Sequence, residues 1–219
     1  MMVETREIVL PGEVLADVKD GRPGHGTFVE DSKMISKFLG ILKRGEYISV
    51  IPLSGVYIPK RQDKVIGFVT GVEKVGWVVD INSPWEAFLP LSEAVDEFID
   101  FKKTDLARYY DVGDIVYATI LDVKRGNIQL SMKEPVARKL KGGVTIKITP
   151  SKVPRLIGKE GSMINTIKEN TGTIIRVGQN GVVWISGEKV DKAIKAIKTI
   201  DEKSHILGLT DEISKLLSD

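Results

Sequence analysis

The 219-residue chain contains no cysteine, so it can build neither a disulfide framework nor a thiolate metal site. It has only two histidines, His25 and His205. One sits in the turn "GRPGHGTF" and the other near a helix end in a different segment, so they cannot be paired as a catalytic base and its partner from the sequence. No Walker-type phosphate loop and no HExxH helix is present. No apolar run approaches the length of a membrane span. The opening "MMVETREIVLPGE" lacks the apolar stretch of a secretory signal. These absences lead to the expectation of an intracellular, cytoplasmic protein that is not an enzyme and has no catalytic residues, metal or cofactor.

What the chain does contain is 42% hydrophobic and 28% charged residues, the balance of a globular protein, and enough length for up to three small domains. Net charge is only +2, but it is unevenly distributed. From Lys141 onward, 13 basic residues face 9 acidic ones; residues 63–140 hold 10 against 13; residues 1–62 hold 9 against 8. The positive excess at the C-terminal end permits nucleic acid as a partner without requiring it.

Breaks in pattern divide the chain into three parts, giving a multidomain protein that is mainly β with an α/β third part. Residues 1–60 read as a small β domain. "GTFVE", "KFLGILKRG" and "YISVIPLSGVYIP" carry β-branched and aromatic residues between glycine and proline punctuation. Residues 61–135 contain five short strand-like runs, "VIGFVTGVE", "GWVVDIN", "EAFLPLS", "DIVYATILDVK" and "GNIQLSMK", which predict a five-stranded barrel. A helical insertion over 92–111 interrupts them, with Ser92 as N-cap and Val95, Phe98 and Ile99 on one face. The acids Asp96, Glu97 and Asp100 in this insertion read as a solvated helix side.

Residues 142–219 change character. The order is strand, helix, helix, strand, strand, helix, followed by a helical tail capped by Thr210. Val190, Ile194, Ile197 and Ile200 form the apolar face of the long helix, and Lys189, Lys192, Lys195 and Lys198 its solvated stripe. Between the first two helices stands "RLIGKEGSMI", with Gly158 and Gly161 enclosing Lys159 and Glu160. Glycine in a helical interior costs about 1 kcal/mol against alanine, so two here mark either an ordinary turn between helices or a backbone that something approaches closely. The second helix starts at that turn, where its free N–H groups and dipole favour a phosphate.

Embedded as I-G-x-x-G-x-x-I in this element order, the turn resembles that of the KH domain, a single-strand binder whose loop clamps about four nucleotides. The resemblance implies RNA contact at Ile157, Gly158, Lys159, Glu160, Gly161 and Ile164, and at Arg176 on the next strand. The acidic Glu160 offsets Lys159, a departure from the usual basic loop. The central segment resembles the S1 RNA-binding barrel, of OB-fold type, through "VIGFVTGVEKVGWVVDI", "AFLPLSEA", "VGDIVYATILDV" and "GNIQLSMK". It implies Trp77 and Phe88 as stacking aromatics and Lys74, Lys124 and Arg125 as loop bases. Pro90 stands where many such domains carry histidine. Trp184, alternating with Val183 and Ile185, reads as core.

The three parts together, with "LPGEVL", "GHGTFV", "YIP" and "FLPLSEA", resemble one family across essentially the whole chain. It is the archaeal exosome's RNA-binding cap subunit of the ribosomal-RNA-processing protein four type. That resemblance implies a homotrimeric cap, possible sharing with another cap subunit, and docking of the N-terminal domain on a six-membered ring of RNase-PH-like subunits. It also implies S1 domains at the entrance pore, recruiting single-stranded RNA. Apolar residues such as Ile41, Leu42, Ile48, Val56 and Tyr57 are candidates for the docking surface or the internal core. The alternative is a free-standing S1/KH regulator of translation or RNA processing.

Overall fold

The computed structural model describes residues 7–95, 105–204 and 208–218. The chain divides after Gly55 into two compact units. The first unit holds seven short strands: β1 (Ile8–Val9), β2 (Val14–Asp17), β3 (Arg22–Pro23), β4 (Thr27–Glu30), β5 (Lys33–Ser36), β6 (Gly40–Lys43) and β7 (Tyr47–Pro52). They form two sheets, β1-β6-β7-β3 and β2-β5-β4. Alternation along the strands sends Val9, Leu15, Met34, Leu42, Ile48 and Val50 into one core.

The long run "YISVIPLSGVYIP" is strand only as far as Pro52. Beyond it, Tyr57 belongs to the core of the second unit and donates its hydroxyl to Asp63 Oδ2 at 2.5 Å. Burial, reinforced by the Asp63 carboxylate, drives this phenol well above its ordinary range, which keeps it a proton donor. Of the residues considered for a docking surface, Leu42, Ile48 and Tyr57 are therefore core, Ile41 is half-buried and Val56 is exposed.

The second unit opens with β8 (Lys64–Glu73), β9 (Gly76–Asp80), β10 (Ala87–Pro90), β11 (Ile115–Lys124) and β12 (Asn127–Ser131). They close into the expected five-stranded barrel, because β12 pairs both with β11, antiparallel, and with β10, parallel. A further strand, β13 (Arg138–Leu140), adds to β11. Among the described residues the core is aliphatic apart from Trp77 and Tyr57, with Tyr109 and Tyr110 packed against it.

The insertion begins as one short helix, α1 (Leu91–Ala94). Pro90 occupies its N-cap position with Ser92 inside the helix, and Val95 returns to extended backbone. Ser92 is thus not the cap. Phe98, Ile99, Asp96, Glu97 and Asp100 lie outside the described residues. The chain resumes at Asp105, whose carboxylate caps a 3-10 turn over Leu106–Arg108 by accepting from the Ala107 N–H at 3.1 Å.

The remaining elements are β14 (Val144–Lys147), α2 (Val153–Ile157), α3 (Ser162–Thr171), β15 (Thr173–Val177), β16 (Val182–Gly187), α4 (Val190–Lys203) and α5 (Leu209–Ser218). The order is the one expected, and the sheet runs β14-β16-β15. Alternation along β16 sorts its two faces. Val183 and Ile185 enter the core beneath the helices, while Val182 and Trp184 pack with Ile66, Tyr117 and Leu140 of the barrel. Trp184 therefore fills a seam between barrel and sheet, where its indole N–H donates to the Gly142 carbonyl at 2.8 Å.

On α4 the buried face is Ala193, Ala196, Ile197 and Ile200, with Val190 and Ile194 at its edge, because the two alanines let the helix sit close. α5 starts at Leu209, ahead of Thr210, and the Gly208 carbonyl accepts from the Asp211 N–H. Thr210 is a first-turn residue, not the cap.

Candidate nucleic-acid interface

The two-glycine turn links α2 to α3. Gly158 adopts φ 77°, ψ 177°, Glu160 φ 53°, ψ 26°, and Gly161 φ 81°, ψ 8°. A Cβ on Gly158 would lie 2.7 Å from the Met163 backbone nitrogen, whereas a Cβ on Gly161 meets nothing nearer than Asn165 Nδ2 at 3.5 Å. Close packing beneath the loop therefore explains Gly158, whereas at Gly161 a Cβ would meet only ordinary contacts. Gly161 is also the N-cap of α3, and no side chain accepts from the helix's first N–H groups there. Lys159 and Glu160 are exposed. Ile164 is buried in the core, and Ile157, half-buried, packs against it, so both hold the loop from below.

Arg176 is elsewhere. It pairs with Trp184 across β15 and β16, which puts it on the sheet face turned to the barrel. There it acts electrostatically on Tyr117. It also acts on Lys168, whose ammonium is held below its ordinary value by burial and then by Arg176. Arg176 thus belongs to the seam, apart from the loop.

The seam is pinned by one residue, Asn180, in the β15–β16 turn "GQNG". Its side chain is fully buried (0% exposed). Nδ2 donates to the carbonyls of Ile66 at 2.7 Å and Ile81 at 2.8 Å, and Oδ1 accepts from the Ile66 N–H at 3.3 Å. Asn82 Nδ2 donates back to the Asn180 carbonyl at 3.0 Å, and the Gln179 N–H to the Lys64 carbonyl at 2.7 Å.

In the barrel, Trp77 is not a stacking surface. It is 0% exposed, its indole N–H donates to the Tyr110 carbonyl at 2.7 Å, and Tyr110 meets it edge-on. The strand alternation that marked it also turns it inward. Phe88 lies on the outer face of β10, half-buried, with Val78 and Gln129 as cross-strand neighbours.

The loop bases are divided. Lys74 is exposed in the β8–β9 turn, and Lys124 and Arg125 are exposed at the β11–β12 turn. Because β8 and β11 are antiparallel with Thr119 opposite Lys64, these two turns sit at opposite ends of β8. That strand is 10 residues long, or roughly 30 Å at strand rise. Lys124 bonds Asp122 at 2.6 Å, and this bond is the main reason that the Asp122 carboxyl lies below its usual value.

A residue missed in the sequence reading stands beside that turn. Trp85, in the β9–β10 loop, is 43% exposed. Its loop is tied down: Ser83 Oγ accepts from the Trp85 N–H at 3.2 Å and donates to the Trp85 carbonyl at 2.5 Å, and Asn82 bonds Asp80 and Asn180. A Cβ on Gly126 would come within 3.1 Å of Trp85 Cδ1, so the indole rests on the turn's backbone. The available signal was its setting. "NSPWEA" is a polar, proline-containing turn, where a tryptophan has no alternating apolar neighbours to join.

Residues 8–44 match the family described as exosome complex exonuclease RRP4 N-terminal region, residues 58–133 the S1 RNA binding domain and residues 143–202 the KH domain. Exosome complex component Rrp4 of Pyrococcus abyssi is 47% identical over 99% of this chain and 84% of its own length. The protein of the same name from Methanothermus fervidus is 42% identical over 99% of this chain and 97% of its own. A crystal structure described as an exosome complex RNA-binding protein aligns with TM-score 0.69 at 32% identity, covering 75% of this chain and 96% of that one.

Proposed function

Because the chain belongs to the Rrp4 family of exosome components, we propose that it is the RNA-binding cap subunit of a cytoplasmic exosome. It does not itself cut RNA; it collects single-stranded RNA and delivers it to a 3'-to-5' exoribonuclease ring of RNase-PH-like subunits. Three copies form the cap. One observation carries the reading: two folds suited to single strands are locked together by a buried seam, with the loop of one and the Lys124–Arg125 turn of the other exposed. Cations at such a turn attract the phosphate backbone at long range, and aromatic faces hold bases without regard to sequence.

In this reading, Lys159 and the α3 N-terminus approach phosphates at the two-glycine loop. Lys124 and Arg125 do so at one end of the barrel, Lys74 at the other, and Phe88 offers an apolar face between them. The match of residues 8–44 disfavours a free-standing regulator. The N-terminal unit presents Ile8, Ile41 and Ile51 in register across β1, β6 and β7, the face opposite its core residues. We assign this row to the ring.

The test uses the purified full chain with end-labelled single-stranded RNA, magnesium and phosphate. Binding that weakens with salt, with the RNA recovered intact, is the expected result. Degradation by rigorously pure protein would overturn the non-catalytic assignment.

A further inference from the structure

We propose that Trp85, resting on the Arg125–Gly126 turn, is a stacking site for one unpaired nucleobase, with Lys124 and Arg125 receiving the adjoining phosphates. The inference rests on the RNA-binding reading above and assigns it a base-contact residue.

The three tryptophans differ in what the fold asks of them. Trp77 and Trp184 are buried, and each spends its N–H on a backbone carbonyl. Trp85 serves no core; it is 43% exposed. The backbone leading into it is fixed by Asn82, bonded to Asp80 and Asn180, and by the paired bonds of Ser83, and the indole lies against Gly126, so it is presented beside the turn before any ligand arrives. Preorganisation of this kind lowers the ordering cost of binding.

The turn beneath it is also specialised. Lys124 pairs with Asn127, leaving Arg125 and Gly126 as a two-residue hairpin loop with φ of 49° and 84°. Such a turn needs positive φ at both positions and favours Asn-Gly. Gly126 meets that need and leaves room for the indole. Arg125 does not, since a side chain in the left-handed region costs roughly 1–2 kcal/mol. A strained arginine beside an exposed, immobilised tryptophan joins the two groups that a single strand uses, a π-face and a cation. Asp122, which now holds Lys124, is replaced by phosphate when RNA binds.

The experiment is fluorescence titration of the full chain with a short single-stranded oligoadenylate, alongside an abasic oligomer of the same length. Stacking on the one exposed tryptophan quenches emission with oligoadenylate and not with the abasic strand. Trp85→Ala is expected to weaken oligoadenylate binding roughly 5- to 100-fold while leaving the abasic affinity unchanged. Trp85→Phe is expected to retain most of the affinity and lose the quench, which also controls for folding. A Trp85→Ala protein that binds oligoadenylate as tightly as wild type overturns the stacking site and leaves the RNA-binding reading standing. If that same variant instead loses self-association in sedimentation, the indole is a protein contact and the proposal is equally overturned. Wild-type protein that binds neither oligomer overturns both.

Discussion

Gly158 and Gly161 sit three apart and answer to different constraints. Alanine at 158 would drive a methyl group to 2.7 Å from a backbone nitrogen that belongs to α3 and cannot move aside. Its backbone, at φ 77°, ψ 177°, is also one that glycine alone adopts readily. Gly158→Ala is expected to cost about 2–4 kcal/mol in urea unfolding. Gly161→Ala, which would meet only ordinary contacts, should cost only about 1–2 kcal/mol. Equal costs would mean that the loop does not pack as described. Between them, Glu160 already bears the left-handed strain at φ 53°, so Glu160→Lys changes charge without adding strain. If the loop meets phosphate, this variant should bind single-stranded RNA several-fold more tightly at low salt. Its log–log salt slope should steepen by about 0.7, the value for one added contact. An unchanged slope would make the loop a scaffold.

At the scale of elements, the decisive contact is the β15–β16 turn against the barrel. Asn180→Ala leaves the Ile66 N–H and the carbonyls of Ile66 and Ile81 without the partner they now have. At about 1–3 kcal/mol for a buried polar group left unpaired, the variant should unfold with barrel and α/β part melting separately in calorimetry. Asn180→Asp should be worse than alanine, since a carboxylate would face two carbonyls with nothing to donate. A single unchanged transition in both variants would show that Trp184 and Val182 hold the seam unaided.

A second tie is acid-sensitive. Burial raises the Asp114 carboxyl, but the bond from Lys139 on β13, the Asp111 N–H and the charges of Lys139 and Lys141 together outweigh it and leave the group below its ordinary 3.8. A depressed carboxyl contributes stability that is present above its unfolded value and is lost as pH falls through its folded one. The Asp114–Lys139 contribution should therefore fade below about pH 4. Asp114→Asn should flatten that part of the pH–stability curve.

For the whole molecule, the N-terminal unit has, among its described residues, a core of six buried apolar side chains and a separate row of outward ones. Ile51 is 45% exposed. Ile51→Lys should shift the stability of the free chain by no more than about 0.5 kcal/mol and leave its RNA affinity intact. It should abolish co-purification with RNase-PH-like proteins from the source cell. Loss of RNA binding in this variant would separate the row from docking and tie it to the RNA.

By itself, the sequence determined the order of elements, the closed barrel, the α/β part and the two-glycine loop. These follow from local periodicity and turn chemistry, which act over a few residues. Family likeness was legible for the same reason, as spaced glycines and apolar runs. Only the tertiary structure decided which aromatic is presented to solvent. Trp77 in its strand and Trp85 in its turn look alike as letters, and exposure is set by which other strands close over each. Register across β8 and β11, a long-range pairing, sent Lys74 to one end of the barrel and Arg125 to the other. Packing of β16 on the barrel turned Arg176 toward the seam, and bonds to Ile66 and Ile81 drew Asn180 into it. Contacts this far apart in the chain, up to 114 residues for Asn180 and Ile66, leave no trace in local pattern, so these placements had to be seen in the fold.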